Sequence, residues 1–381
     1  MTAPKVAVVT PGSFVIPSGR SSSVERVVEK VCPLAAKRLD IRIYGVADGR
    51  LPTVGTVSGI PCYRLPGGRH YFHSIVRHLR LWRPDTVEVH NRPLLAHQIK
   101  SRLPKTRVCL NLHSTTFLVH SRRSPNEMSR MLGSPDGLIV NSVYLKEEIQ
   151  RRFPFLKTRI EVNPLGVSLD DFSPRWTPAG EAMRLARLAD LGWSGRKIVL
   201  FVGRLLPSKG VHHLLNVWGE ILSREPEAML LIVGSAFYGS DRDTLYSRGL
   251  KKRAEPFGDR VLFLPFVPYP KVANWYNLAD VAVVPSAEGE AFGLVNAEAM
   301  ASAVPIIATA AGGIPEIVAD GRSGFLIPAG DPEQQLTHRL LHLLEHEEVR
   351  RKMGENGRQL ARSQFRWEHT AERWVALMKQ R

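Results

Sequence analysis

The sequence predicts an α/β protein built from two doubly wound, Rossmann-like halves. Short apolar runs alternate with stretches whose apolar residues recur at helical spacing. That rhythm breaks once, at the Pro- and Gly-containing Asn163-Pro164-Leu165-Gly166-Val167, and restarts at Lys197. A chain of 381 residues also exceeds what one core comfortably serves. Repeated strand–helix alternation implies a parallel sheet covered by helices on both faces.

In the first half the expected strands are Lys5–Thr10, Ile41–Val46, Thr86–His90, Arg107–Leu112, Gly137–Asn141 and Arg159–Val162. The expected helices are Ser22–Arg38, Tyr71–Trp82, Pro93–Arg102 and Tyr144–Phe153. Pro164 and Gly166, followed by Asp170-Asp171-Phe172-Ser173-Pro174, mark the crossing into the second half. There the strands are Lys197–Val202, Met229–Val233, Val261–Leu264, Val281–Val284, Pro305–Ala308 and Phe325–Ile327, with helices between. Two polar helices follow Gly330, and Trp367–Lys379 reads as an amphipathic terminal run. The expected domains are residues 1–170, joined by residues 366–381, and residues 171–365.

Composition excludes several classes. Hydrophobic residues at 44% and charged residues at 23% are ordinary globular values, which argues against wholesale disorder. The three cysteines, Cys32, Cys62 and Cys109, form neither a disulfide framework nor a zinc spacing, so a cytoplasmic protein is expected. Met1–Pro11 holds one Lys and then a β-like run, unlike a signal peptide, and no apolar run approaches a membrane span. Net charge is the unusual quantity, at +16. Between Arg69 and Glu161 stand 17 Lys plus Arg against 7 Asp plus Glu. A basic half suits an anionic partner such as a membrane surface, or is simply a solvated face. Nucleic acid is not expected, because no helix-turn-helix, zinc-finger or aromatic RNA-binding pattern accompanies the charge.

The strongest functional signal is Glu290-Ala291-Phe292-Gly293-Leu294-Val295-Asn296-Ala297-Glu298, just after Val281–Val284 and Pro285-Ser286. A strand, loop and helix of this kind place Glu290 and Glu298 at the carboxyl edge of the sheet, where open α/β folds bind ligands. The amides of Phe292, Gly293 and Leu294 would open the helix and could seat a phosphate. Carboxylates beside a phosphate are best used as acceptors for hydroxyls. Hydroxyls together with a diphosphate describe a nucleotide sugar. Acidic residues placed only to suit a helix dipole are the plainer reading; the full string from Pro285 to Pro305 is hard to obtain by chance. The second signal is Gly203-Arg204-Leu205-Leu206-Pro207-Ser208-Lys209-Gly210, directly after a strand. Arg204 brings a planar fork of donors and Lys209 a mobile point charge, a sensible pair for a diphosphate. No Lys-Ser/Thr pair completes a Walker loop.

The paired glutamates and the Gly-Arg…Lys-Gly element resemble those of the retaining glycosyltransferases of family four, which have the GT-B fold. The resemblance implies two Rossmann-like domains facing a central cleft. It gives Glu290 to the donor sugar, Glu298 to the ribose, and Arg204 and Lys209 to the leaving diphosphate. It matches His113, at the end of Val108–Leu112, to a histidine that contacts the donor sugar, with Ser114 where an Asp is usual. The Pro11–Glu25 loop has Ser18 to Ser23 where a Gly-Gly pair is usual, leaving Gly12 and Gly19 as candidates for close backbone approach. The usual Asn of the Pro-Asn-Gly-Val-Asp linker is Leu165 here. Gly234 would border the nucleotide and Val267 the base. Ala311-Gly312-Gly313 completes the likeness, and Glu316 reads as structural. Asp241 and Asp243 read as helix caps, and His212 and His213 have no metal partner. Val89-His90-Asn91-Arg92-Pro93 is similar to a bacterial subgroup that includes spore-coat-associated enzymes.

The expected donor is therefore a nucleoside diphosphate sugar, a UDP-sugar ahead of GDP- or ADP-sugars, with no metal or other cofactor required. The expected acceptor is a hydroxyl of a glycan or lipid-linked glycan, in cell-surface or spore polysaccharide or glycolipid synthesis. Peripheral contact with an anionic membrane, at the inner face, or association with a spore coat would go with it. The alternative is a non-catalytic sugar-nucleotide or glycan-binding coat or scaffold protein of the same fold. A phosphorylase is disfavoured, since no lysine stands out for pyridoxal phosphate.

Overall fold

The computed structural model describes residues 3–17, 19, 23–119, 123–240, 242–287 and 289–380. Ser18, Arg20, Ser21, Ser22, Arg122 and Asp241 lie outside the described residues. The chain divides into two compact units, Met1–Leu165 with Trp367–Arg381, and Gly166–Arg366.

The first unit holds, in order, β1 (Lys5–Val9), β2 (Asp40–Val46), β3 (Val54–Val57), β4 (Ile60–Leu65), β5 (Thr86–His90), β6 (Arg107–Leu112), β7 (Gly137–Val140) and β8 (Ile160–Val162). They form one sheet in the order β3-β4-β2-β1-β5-β6-β7-β8. Every residue of β5 is buried, as befits a parallel strand covered on both faces. The helix Ser23–Ala35 comes after β1 and is shorter than expected, and the helix Arg69–Trp82 leads into β5.

The sheet is not wholly parallel, contrary to expectation. β3 and β4 form a hairpin, antiparallel to one another, with β4 parallel to β2. The hairpin turn is Ser58-Gly59, both at positive φ (48° and 85°), which matches the twist of the two strands. Neither strand stands out in the sequence, because half-exposed β3 and the Pro61 in β4 give no apolar run.

The second unit has β9 (Lys197–Val202), β10 (Ala228–Val233), β11 (Val261–Leu264), β12 (Val281–Val284), β13 (Ile306–Thr309) and β14 (Gly324–Ile327). Its order is β11-β10-β9-β12-β13-β14, and the paired strands are parallel. The order reverses between β9 and β12, so the loops leaving these two strands flank the switch point where such sheets bind ligands. Val199, Phe201, Trp218, Leu230 and Ile232 belong to its core.

The division falls at Leu165–Gly166, earlier than the expected boundary at 170. Val167 already belongs to the second unit, because its amide donates to Phe365 O (2.7 Å) and it bridges Arg366. The helix Trp367–Lys379 belongs with the first unit. Its buried face carries Trp367, Ala371 and Trp374. Thr370 Oγ1 donates to Pro164 O (2.9 Å) and Arg107 donates to Leu377 O (2.8 Å).

Candidate active site

In the second unit, backbone bonds sew the carboxyl-edge loops together. Gly203 N donates to Val233 O (3.0 Å), Leu205 N to Ser235 O (3.0 Å), and Ala287 N to Ser208 O (2.9 Å). Gly313 N donates to Glu290 O (2.8 Å), and Gly234 N to Leu264 O (3.0 Å). Of the glycines that this packing requires, two join the loops after β9, β12 and β13. A Cβ on Gly210 (φ 71°) would stand 1.8 Å from Pro285 O, and one on Gly312 (φ 60°) 2.0 Å from Glu290 O. The loops after β9, β12 and β13 can therefore close together only with bare backbone at both points.

This packing brings Lys209 and Glu290 together, although they are far apart in sequence. Lys209 Nζ and Glu290 Oε2 form an ion pair, with side chains 26% and 16% exposed. Arg204 lies with its guanidinium 5.2 Å from the centre of the Tyr238 ring, a cation–π contact. Tyr238 in turn meets Phe266 edge-on, with centroids 6.2 Å apart. Val267, next to Phe266, is half-buried.

Gly293 (φ 82°) caps the helix Leu294–Ala301 with no side-chain bond. Asn296 is the helix's own anchor, its Nδ2 donating to Gly293 O (3.1 Å). Ala291 and Phe292 are buried, Phe292 edge-on to Phe365, so only the backbone of this stretch can meet a ligand. Leu294 is half-buried. Glu298 is buried inside the helix and accepts a hydrogen bond from Tyr276 Oη (3.0 Å). Glu290 and Glu298 thus differ: one is paired to a mobile cation, the other is held by a rigid phenol.

In the first unit His113 follows β6 and is 8% exposed. Its backbone is pinned, because His113 N donates to Asn91 Oδ1 (2.8 Å) and Asn141 Nδ2 donates to His113 O (3.3 Å). Its ring lies edge to edge with that of His90, the two planes 5° apart, and His113 Nε2 lies 3.0 Å from His90 Nδ1. His90 Nε2 lies 3.1 Å from Glu88 Oε2, and Asn111 Nδ2 donates to Glu88 Oε1 (2.9 Å). Burial would raise the Glu88 carboxyl, but His90 and hydrogen bonds from His90, Asn111 and Trp374 outweigh it and hold the group below its ordinary range. Burial, and then the neighbouring His90, push His113 well below the ordinary imidazole value.

Gly12 (φ 74°) sits against the Tyr71 ring, whose hydroxyl donates to Thr10 O (3.2 Å). Gly19 is exposed with open space where a Cβ would stand, so local packing does not demand glycine there. Asp243 is not the cap. Thr244 caps the helix Leu245–Ala254, while Asp243 accepts from Ser247 Oγ and pairs with Lys251. Glu316 is exposed in a single 3-10 turn, Ile314–Glu316. Among the described residues no group of three or more His, Cys, Asp or Glu could hold a metal ion.

The comparisons agree with this geometry. The family Glycosyl transferases group 1 matches residues 188–360, and Glycosyltransferase Family 4 matches residues 24–171. Spore coat protein SA of Bacillus subtilis (strain 168) is 31% identical over 373 residues, spanning 98% of this chain and 98% of that protein. The chain belongs to glycosyltransferase family four. Putative glycosyltransferase YtcC of the same organism is 29% identical, covering 97% of this chain and 90% of the relative. Sucrose-phosphate synthase from Thermosynechococcus elongatus superposes with a TM-score of 0.80 at 24% identity, covering 99% and 98% of the two chains. Anabaena HepE, solved in complex with UDP and glucose, gives 0.78 at 18% identity, covering 98% and 99%. These likenesses establish the GT-B fold.

Sequence reasoning gave this glycosyltransferase no role for Glu88, Tyr238 or Tyr276, and His90 entered only through a subgroup likeness. A signal for the first was present. Glu88 and His90 stand two apart on β5, where Glu88 lies opposite Cys109 and His90 opposite Asn111, and His113 follows two residues after Asn111. Alternation on a strand puts each such pair on one face.

Proposed function

We propose that this glycosyltransferase moves a sugar, with retention of anomeric configuration, from a nucleoside diphosphate sugar to a hydroxyl acceptor. The observation that carries the reading is the Lys209–Glu290 pair, set by close-packed loops at the switch point of the second sheet. Arg204, Lys209 and the amides around Gly293 would stabilise the charge that grows on the departing diphosphate. Glu290 would take sugar hydroxyls and Glu298 the ribose. The loops holding Gly203, Gly234 and Val267 would border the nucleotide. His113 would meet a sugar hydroxyl, and the loop of Gly12 and Gly19 the acceptor. No carboxylate need attack the sugar if the acceptor enters on the face the diphosphate leaves, unlike in retaining glycosidases.

UDP-sugars are the favoured donors, in keeping with the UDP held by the HepE neighbour. The kinship with Spore coat protein SA supports a glycan or lipid-linked glycan acceptor in cell-surface or spore polysaccharide or glycolipid synthesis. We place the protein in the cytoplasm, at the inner membrane face or with the spore coat. The test is transfer or donor hydrolysis measured with a panel of UDP-, GDP- and ADP-sugars, on the wild type and on Arg204→Ala and Lys209→Ala. Each variant should fold and lose about a hundredfold or more in turnover. Binding without any turnover in the wild type would favour the coat or scaffold reading, and near-normal turnover in both variants would remove the diphosphate assignment.

A further inference from the structure

The first unit buries a chain of three side chains, Glu88, His90 and His113, that ends in an unmatched atom. His113 Nδ1 is buried and has no hydrogen-bond partner among the described residues. Native interiors rarely leave a buried polar atom so, and each case calls for an account. A cavity beside these three side chains is lined by Glu88, His90 and His113 together with Val8, Val27 and Trp374. It lies at the β1/β5 junction, where the strand order of the first sheet reverses.

The bonds along the chain fix where protons sit. An ionised carboxylate only accepts, so Glu88 takes hydrogen bonds from Asn111, from Trp374 and from His90 Nε2–H. A neutral His90 is then an acceptor at Nδ1, and the atom facing it, His113 Nε2, must be the donor. His113 is in turn left with a bare Nδ1 lone pair. If His90 instead carried an extra proton at Nδ1, the His90–His113 bond alone would reverse, and His113, accepting at Nε2, would present an unmatched Nδ1–H. Orphaned buried N–H groups are rarer than under-satisfied acceptors, which favours the neutral chain.

We propose that Glu88 and His90 are positioning residues that hold His113 as the Nε2–H tautomer, so that its Nδ1 accepts a hydrogen bond from a substrate hydroxyl. This rests on the sugar-transfer reading. It deepens that reading by selecting sugars that carry a hydroxyl donor at that point and rejecting those with hydrogen or an anionic group there.

The test has two arms. In protein labelled with 15N-histidine, two-bond 15N–1H spectra report which ring nitrogen of His113 carries the proton, with no substrate needed. The wild type should show Nε2–H at neutral pH, and His90→Phe should lose that preference. An Nδ1–H tautomer in the wild type, or no change in His90→Phe, overturns the proposal. In the second arm, donors each lacking one hydroxyl are compared by kcat/KM. One deoxy position should cost the wild type roughly tenfold, the scale of one hydrogen bond. The same deletion should cost His90→Phe and Glu88→Gln nearly nothing further, while their UDP affinity stays at the wild-type value. Equal discrimination in wild type and variants counts against it. Should Glu88→Gln not fold, His90→Phe and the wild-type spectrum still decide. If the wild type binds no nucleotide, the transfer reading has failed, and the spectra judge the chain of bonds independently.

Discussion

At the scale of single residues, the two glutamates of the motif behave differently because their partners differ. Tyr276 holds Glu298 in a buried setting, whereas Glu290 is engaged by a cation that a diphosphate would also attract. Free UDP carries ribose and diphosphate but no sugar. Glu298→Gln should therefore weaken UDP binding about tenfold, by losing an acceptor for ribose hydroxyls. Glu290→Gln should leave UDP binding equal or tighter by up to about fivefold, because Lys209 is released from a part-exposed pair worth about 1 kcal/mol. Calorimetry showing equal losses in the two variants would contradict this division. The buried histidine gives a second prediction. An unfolded imidazole takes up a proton as pH falls past its ordinary value of 6.5, while folded His113, pushed well below that value, resists. The unfolded state then binds more protons, so stability must fall as pH drops below 6.5. Glu88, held below its ordinary 4.5, adds a further loss at lower pH, as its folded carboxylate is finally protonated. Thermal melts across this range should slope less in His113→Asn than in the wild type.

At the scale of elements, glycines set how closely the loops approach. Ala at position 312 would need its Cβ almost on top of Glu290 O, at a φ that L-residues avoid. Gly312→Ala should cost at least about 1 kcal/mol in stability and shift the loop bearing Glu290. A denaturant midpoint and a UDP titration check both effects, and unchanged values would show that the loops can part without consequence. Most of this architecture was legible in the sequence. Runs such as Ile198–Val202 and Val281–Val284 are apolar throughout because their strands are covered on both faces, and glycines mark the turns after them. The β3–β4 hairpin escaped, since an edge ribbon with one exposed face carries only weak alternation. The Glu88–His90–His113 chain escaped for another reason: register across β5 and β6 decides it, and register is not written in either strand alone.

At the scale of the molecule, the charge of +16 is the property least explained by sugar transfer itself. The excess would suit an anionic membrane surface, which a lipid-linked acceptor would share. Among the described residues no helix is long and apolar enough to cross a membrane, so the contact would be peripheral. The structure changes which arginines matter. Arg151 and Arg152 both pair with Glu148 on their own helix, so they offer less net charge than their sequence suggests. The helix Arg69–Trp82 has no acidic residue, and Arg69, Arg77 and Arg80 are exposed along it, with Leu81 78% exposed near its end. Arg77→Glu with Arg80→Glu should therefore weaken cosedimentation with anionic vesicles more than reversal of Arg151 and Arg152 does. Exposed charges are screened over roughly 8 Å at physiological ionic strength, so wild-type binding should fall steeply with salt. Turnover of a small neutral acceptor should change far less, because contacts in a closely packed site are short and part-desolvated. Equal binding to anionic and neutral vesicles, or none at low salt, would make the charge a solvated surface and return the acceptor question to water-soluble glycans.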